Sequence, residues 1–240
     1  MLFLKLLTAH MIGDYILQSD RVATGKRRIR YMSLHAAAHA ILLGLVGLSE
    51  AGAPRLWVVL SLILLVHVII DVWTSRQARR DWRLLLIDQS LHLATLVCAA
   101  VFVRPGDLQI ALGLGARLTG SRDFYIVLSG ATTAIWAGAV VVGRWVEPFA
   151  VQLGPDRPGL ARAGRVIGLF ERALIFLAMV LRLEALVGFV VAAKAILRLP
   201  EARVPGHREL AEYYLVGSLA SVFWAVLTGV LVRWWTTGRP

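Results

Sequence analysis

His67-Val-Ile-Ile-Asp71 and Asp88-Gln-Ser-Leu-His92 are two copies of one device separated by a basic loop. On an α-helix, residues four apart lie on one face, about 6 Å apart, so each pair aims two proton- or metal-binding groups at a common point. Both pairs stand in strongly apolar surroundings. The same plan occurs earlier, as His10-Met-Ile-Gly-Asp14, a basic loop, and His35-Ala-Ala-Ala-His39. Every histidine in the first half of the chain therefore has a histidine or aspartate one turn away, which scattered core histidines do not do.

The apolar runs around these pairs set the fold class. The 240-residue chain is 58% hydrophobic, with mean hydropathy +0.69, and its apolar runs are long enough to cross a bilayer. The expectation is an all-α polytopic membrane bundle of about eight helices. One cysteine, Cys98, excludes an internal disulfide framework and a thiolate metal cluster. The stretch Met1 to Leu17 resembles a signal peptide, but His10 and Asp14 interrupt it and no small-residue cleavage site follows, so it is read as a first helix.

The net charge of +11 sits largely in short loops between apolar runs. That is the positive-inside pattern, with attraction to anionic lipid as a secondary effect, and nucleic acid is not expected as a partner.

Helices are expected over about Leu2–Gln18, Ser33–Leu48, Leu56–Thr74 and Leu84–Val103. Basic loops follow the first (Arg21, Lys26, Arg27, Arg28, Arg30) and the third (Arg76, Arg79, Arg80, Arg83). If both loops are cytosolic, helices one and three run inward and two and four outward. His precedes Asp in the inward helices and Asp precedes His in the outward fourth helix, so each aspartate lies one turn nearer the cytosol. The eight groups then form two layers: His10, His39, His67 and His92 deeper, and Asp14, His35, Asp71 and Asp88 shallower. Antiparallel helices with inward ligands at matched depth are how bundles build metal sites.

The expected domains are 1–104, carrying the polar cluster, a glycine-rich linker 105–123, and a second membrane half 124–240. The second half is expected to hold helices over about Phe124–Trp145, Gly164 to Arg182, a shorter one ending at Arg198, and Glu209–Trp235. Pro148, Pro155 and Pro158 mark the loop after the first of these. Glu147, Glu171, Arg172, Lys194 and Glu212 place charge within or at the ends of these segments, where it commonly faces a bundle interior.

The pieces His10-x-x-Gly-Asp14-Tyr15-x-x-Gln18, His35-x-x-x-His39, His67-x-x-x-Asp71, Asp88-Gln89-x-x-His92, Gly164-Arg165-x-x-Gly168-x-x-Glu171-Arg172, Lys194-x-x-x-Arg198 and Glu212-Tyr213-x-x-x-Gly217 resemble a family catalogued as domain of unknown function 3307. The resemblance runs nearly end to end. It implies a bacterial multi-pass inner-membrane protein and brings no activity with it.

For a lone intramembrane histidine, a helix-to-helix hydrogen bond is the ordinary reading. Four pairs at one depth favour a ligand set. Three buried carboxylates cost several kcal/mol each unless neutralised or bound to a cation. Five imidazoles with three carboxylates suit one or two divalent ions, zinc first, iron or manganese next. The metal ligands are thus His10, Asp14, His35, His39, His67, Asp71, Asp88 and His92.

The leading expectation is a metal-dependent hydrolase acting on a lipid or lipid-linked amphipathic substrate, with the site near the cytosolic face. Asp14 or Asp88 is the candidate base; Arg172 and Lys194, with Glu171 beside them, form a basic floor for an anionic head group. The alternatives are a metal-ion or proton-coupled transporter and a non-catalytic membrane partner with a structural polar network. Oligomeric state is left open. Gln18, one turn beyond Asp14, reads equally as its partner or as a helix-end glutamine at the interface, Gln89 lies beside Asp88, and Tyr15 and Trp73 read as interfacial aromatics. Gly164 and Gly168 read as a close-packing pair, and His207 as an unpartnered loop residue.

Overall fold

The computed structural model describes residues 1–50, 54–78, 81–108, 120–152, 161–202 and 208–237. Among the described residues there is no strand, and the chain is all-α. Five helical stretches among the described residues are long and apolar enough to cross a membrane: Ile29–Ser49, Pro54–Arg76, Trp82–Val103, Arg122–Ala150 and Glu209–Thr237. The protein is a helical membrane protein. It divides into two compact units, Met1–Thr132 and Thr133–Pro240.

In the first unit, helix α1 (Leu2–Met11) is buried nearly all round, with Leu2, Phe3, Leu4 and Leu6 each no more than 1% exposed. Helices α3 (Ile29–Ser49) and α5 (Trp82–Val103) pack against it, and α4 (Pro54–Arg76) packs between those two. Pro54 opens α4, where its missing N–H sacrifices nothing. Asp81 caps α5 by accepting from Leu84 N–H at 3.0 Å. Arg104 ends α5 in an extended conformation, as the residue before Pro105 must.

The first helix differs from a plain run to Gln18. After Met11 the chain makes a π-helical turn over Ile12–Ile16, closed by Leu17 N–H donating to Ile12 O at 2.9 Å. A π turn carries one more residue per hydrogen-bonded ring than an α turn, and such turns cluster at functional sites. The basic loop that follows is also ordered, with a short helix α2 (Asp20–Gly25) inside it.

Helix α6 (Gly120–Thr132) belongs to the first unit, packed along α1 with Thr8 Oγ1 and Ser129 Oγ 2.7 Å apart. The division between units thus falls at Thr132, later in the chain than the glycine-rich linker suggests. Residues 109–119 of that linker lie outside the described residues. Asp107, within it, is buried and accepts Phe3 N–H at 2.7 Å, fixing the start of α1.

The second unit opens on another π turn, Thr133–Ala137, and continues as α7 (Gly138–Gln152), α8 (Ala161–Val180), α9 (Ala185–Ala202) and α10 (Arg208–Thr237). Helix α7 runs past the expected stop at Trp145 and through Pro148, whose fixed φ suits a helix although its ring removes one hydrogen bond. The break between α8 and α9 falls where the charges Arg182 and Glu184 interrupt the apolar run. Arg182 adopts φ 60° there. Leu183 N–H reaches Ala178 O at 2.8 Å and Arg182 N–H reaches Met179 O at 3.3 Å, the paired bonds that close a helix C-terminus. Arg157, Pro155, Pro158 and His207 lie outside the described residues.

Candidate metal centre

Four antiparallel stretches converge on one buried point in the first unit. Helix α1 and its π turn bring His10 and Asp14, α3 brings His35 and His39, α4 brings His67 and Asp71, and α5 brings Asp88 and His92. All but Asp88 are no more than 7% exposed. The His10, His39, His67 and His92 rings form a contiguous tier, with centroids 3.9 Å apart for His39 and His67, 4.4 Å for His67 and His92, and 4.9 Å for His10 and His92. One helical turn farther along the same faces, Leu6, Leu43, Ile63 and Leu96 close over that tier. Between the two tiers lies a cavity of about 10 Å³, also lined by Thr95 and large enough for one water-sized occupant.

Asp14 is the hub. Its Oδ1 lies 3.0 Å from His39 Nε2, 3.4 Å from His35 Nε2 and 3.7 Å from His67 Nε2, and its Oδ2 lies 3.6 Å from His10 Nε2. Around Asp71, Oδ2 is 2.9 Å from His35 Nε2 and 3.5 Å from His67 Nε2, and those two nitrogens are 3.1 Å apart. Several of these separations exceed good hydrogen-bond lengths. They match the roughly 3.4 Å edge of a tetrahedron of N and O ligands about 2.1 Å from a central ion. His10, Asp14, His39 and His67 make one group able to hold a metal ion, and His35, His67 and Asp71 a second.

Of the eight ligands expected from sequence, Asp88 and His92 stand outside both groups. His92 Nδ1 donates to the Asp88 backbone carbonyl at 2.9 Å, since a carbonyl can only accept. The neutral ring is then left with a bare acceptor at Nε2, which is buried and has no hydrogen-bond partner. Histidines that ligate metals are commonly held this way, one nitrogen donating to backbone and the other free. Asp88 sits half-buried at the rim, its Oδ2 accepting from Gln89 Nε2 at 3.0 Å and its Oδ1 buried without a partner.

Two further residues complete the site. Gln89 bridges the two aspartates, because its Nε2 also donates to Asp14 Oδ2 at 3.1 Å while its Oε1 lies 3.4 Å from His10 Nε2. One of the two readings of Gln18 made it Asp14's partner, but its side-chain oxygen is buried without a partner. The available signal was spacing: Gln89 is three residues before His92, on the same helix face.

The second residue is Lys26, from the loop between α2 and α3. Its Nζ donates to Asp71 Oδ2 at 2.7 Å and lies 3.2 Å from His35 Nε2. The neighbouring Arg27 pins that loop to the end of α4, donating to Ser75 O at 2.7 Å and Gln77 O at 3.2 Å. No periodicity marks a loop lysine. Only the unmet charge of three carboxylates pointed to a cation of some kind.

Glu171, Arg172 and Lys194 have their partners inside the second unit. Lys194 pairs with Glu171. The Arg172 side chain is buried, donating Nε–H to Ile135 O at 3.1 Å and Nη1–H to Ser221 Oγ at 3.0 Å. Trp224 Nε1–H donates to Thr133 O at 2.9 Å. The π turn alters the helical ladder, and Arg172 and Trp224 satisfy two of its carbonyls.

Fold and site together define the class: a helical membrane protein with a buried His/Asp cluster fit for a metal ion. Residues 2–112 match the model of a family described as "Protein of unknown function (DUF3307)", the family that the polar motifs resemble. The matched stretch holds all four i, i+4 pairs, Lys26 and Gln89, and the motif pieces from Gly164 onward lie outside it. No curated protein and no solved structure matches the chain.

Proposed function

We propose that the first unit binds a divalent metal ion between His10, Asp14, His39 and His67, near the cytosolic face of a bacterial inner membrane, and uses it to hydrolyse a lipid or lipid-linked substrate. The observation that carries the reading is the spacing of the Nε2 atoms around the Asp14 carboxylate, 3.0 to 3.7 Å within a buried tier. The donor set of imidazole and carboxylate suits zinc first, then iron or manganese. When bound, such an ion brings the pKa of a water toward neutrality and polarises the scissile group.

The chain's own residues supply the rest. Gln89 orients Asp14, as groups hydrogen-bonded to a ligating carboxylate do. Asp88, at the rim with one buried oxygen unpaired, is the candidate base. Glu171, Arg172 and Lys194 take no part in this reading, because each is engaged within the second unit. The site's depth calls for an amphipathic substrate.

The cytosolic assignment rests on Arg21, Lys26, Arg27, Arg28 and Arg30 in one loop and Arg76 and Arg83 flanking the other. Reporter fusions after Arg28 and after Gln77 are expected to read cytosolic, and opposite sides would refute that orientation.

The function is tested on protein purified in detergent, by metal content from mass spectrometry and by release of head group or phosphate from phospholipid and polyprenyl-phosphate vesicles. Metal-dependent release supports the hydrolase. Bound metal with no release, together with metal or proton flux in proteoliposomes, supports the second reading, a transporter. One observation favours that alternative: Asp14 lies in the π turn Ile12–Ile16, a local departure from α-helical geometry within a liganding helix. Absence of metal leaves the polar network as a structural element.

A further inference from the structure

The two ligand groups are not equivalent. The group around Asp14 contains only imidazoles and a carboxylate, whereas the group around Asp71 already has a positive charge inside it. Lys26 Nζ is 2.7 Å from Asp71 Oδ2 and 3.2 Å from His35 Nε2, two of the three atoms that make the second group. An ammonium there stands within reach of the atoms that would hold an ion.

The loop is built to put it there. Arg27 clamps onto the carbonyls at the end of α4, one turn from Asp71. On the other side of Lys26, Gly25 lies flush against the Tyr31 ring, where a Cβ would come within 2.4 Å of a ring carbon. The lysine is thus held between a fixed glycine contact and a fixed arginine contact, and its side chain is mostly buried beside Asp71.

Formal charge points the same way. Asp14, Asp71 and Asp88 against Lys26 leave two negative charges, which one divalent ion balances. Without Lys26, Asp71 keeps a negative charge buried between His35 and His67 with no cation beside it, and the second ligand group is open to another ion.

Resting on the metal reading above, we propose that the Lys26 ammonium is the resident cation of the second ligand group, so that the native cluster takes one divalent ion and takes two when Lys26 is removed. His67 belongs to both groups and offers each the same nitrogen. With two ions, His67 stays with His35 and Asp71. His92, its ring 4.4 Å from His67 and its Nε2 bare, is the spare ligand for the first ion. Lys26 therefore sets the stoichiometry of the site.

The experiment counts ions per chain, by native and elemental mass spectrometry, in the full-length protein exposed to graded zinc or cobalt. Wild type is expected to saturate at one, Lys26→Met at two, and Lys26→Met with Asp71→Asn at one again. Two ions in wild type, or one ion in wild type and still one in Lys26→Met, overturns the proposal. No ion in wild type but one in Lys26→Met refutes native metal binding while upholding Lys26 as the competing cation; none in either overturns both. If Lys26→Met is recovered folded only with added metal and carries two ions, the proposal stands. Failure to fold at every metal concentration overturns it, because the ion was to replace the ammonium.

Discussion

The His39 ring lies against Gly13 so closely that a Cβ at that position would come 2.5 Å from its Nε2. The contact joins the π turn to α3 and sets the distance between His39 and Asp14, one residue beyond the glycine, at 3.0 Å. No side chain fits there without displacing the imidazole.

Gly13→Ala is therefore expected to cost about 1–3 kcal/mol, as overpacking a core does, and to lower bound metal at least tenfold by moving His39 off the site. Gly44→Ala is the control. That glycine is helical, with open space where its Cβ would go, so the change should leave metal content intact and melting unchanged or slightly raised. Equal metal content in the two variants would show that the contact does not position a ligand.

Alanine at His39 or at His67 should abolish stoichiometric metal binding, because each belongs to the group around Asp14. His92→Ala should weaken it less, since His92 lies outside both groups and uses Nδ1 on a backbone carbonyl. Metal titration of the three variants in detergent checks the order. A larger loss in His92→Ala than in His39→Ala would move the ion into the cavity among the four imidazoles.

The all-α fold and the convergence of the His/Asp pairs were legible because both follow from helical period and apolar run length, which are local in sequence. Three features were not. The π turn at Asp14 replaces a regular helix, and Gly13 marks it only once His39 is known to face it. Lys26 enters from a loop, where no periodicity says which way a side chain points. Arg172 read as part of a basic floor for an anionic head group because the carbonyls it satisfies become available only through the second π turn.

Arg172 yields a prediction confined to the second unit. Removing it leaves Ile135 O without its buried donor, about 1–3 kcal/mol, and opens a void where its side chain was. Arg172→Ala should therefore lower the melting temperature markedly. Trp224→Phe, which loses one hydrogen bond to Thr133 O, should cost about 1 kcal/mol. Thermal unfolding in detergent followed by tryptophan fluorescence and circular dichroism measures the first, and circular dichroism alone the second. An undisturbed Arg172→Ala melt would mean that the π-turn carbonyls find other donors.

The aspartates separate an enzyme from a transporter. Asp71 is 2% exposed and pairs with Lys26 and His35. Asp71→Asn leaves the ammonium buried without its counter-charge, a change that typically costs about 3–5 kcal/mol, so this variant should melt lower whatever the protein does. Asp88 is outside both ligand groups and half-buried, its carboxylate accepting from Gln89. Its amide isostere keeps the shape and can still hydrogen-bond, so Asp88→Asn should retain metal and wild-type melting. What it loses is the ability to take a proton. In a hydrolase, Asp88→Asn should bind a lipid-like ligand as wild type does and turn it over at least a hundredfold more slowly. In a transporter the same variant should change metal or proton flux in proteoliposomes, and the wild type should show such flux at the outset. Full hydrolysis by Asp88→Asn would remove Asp88 as the base.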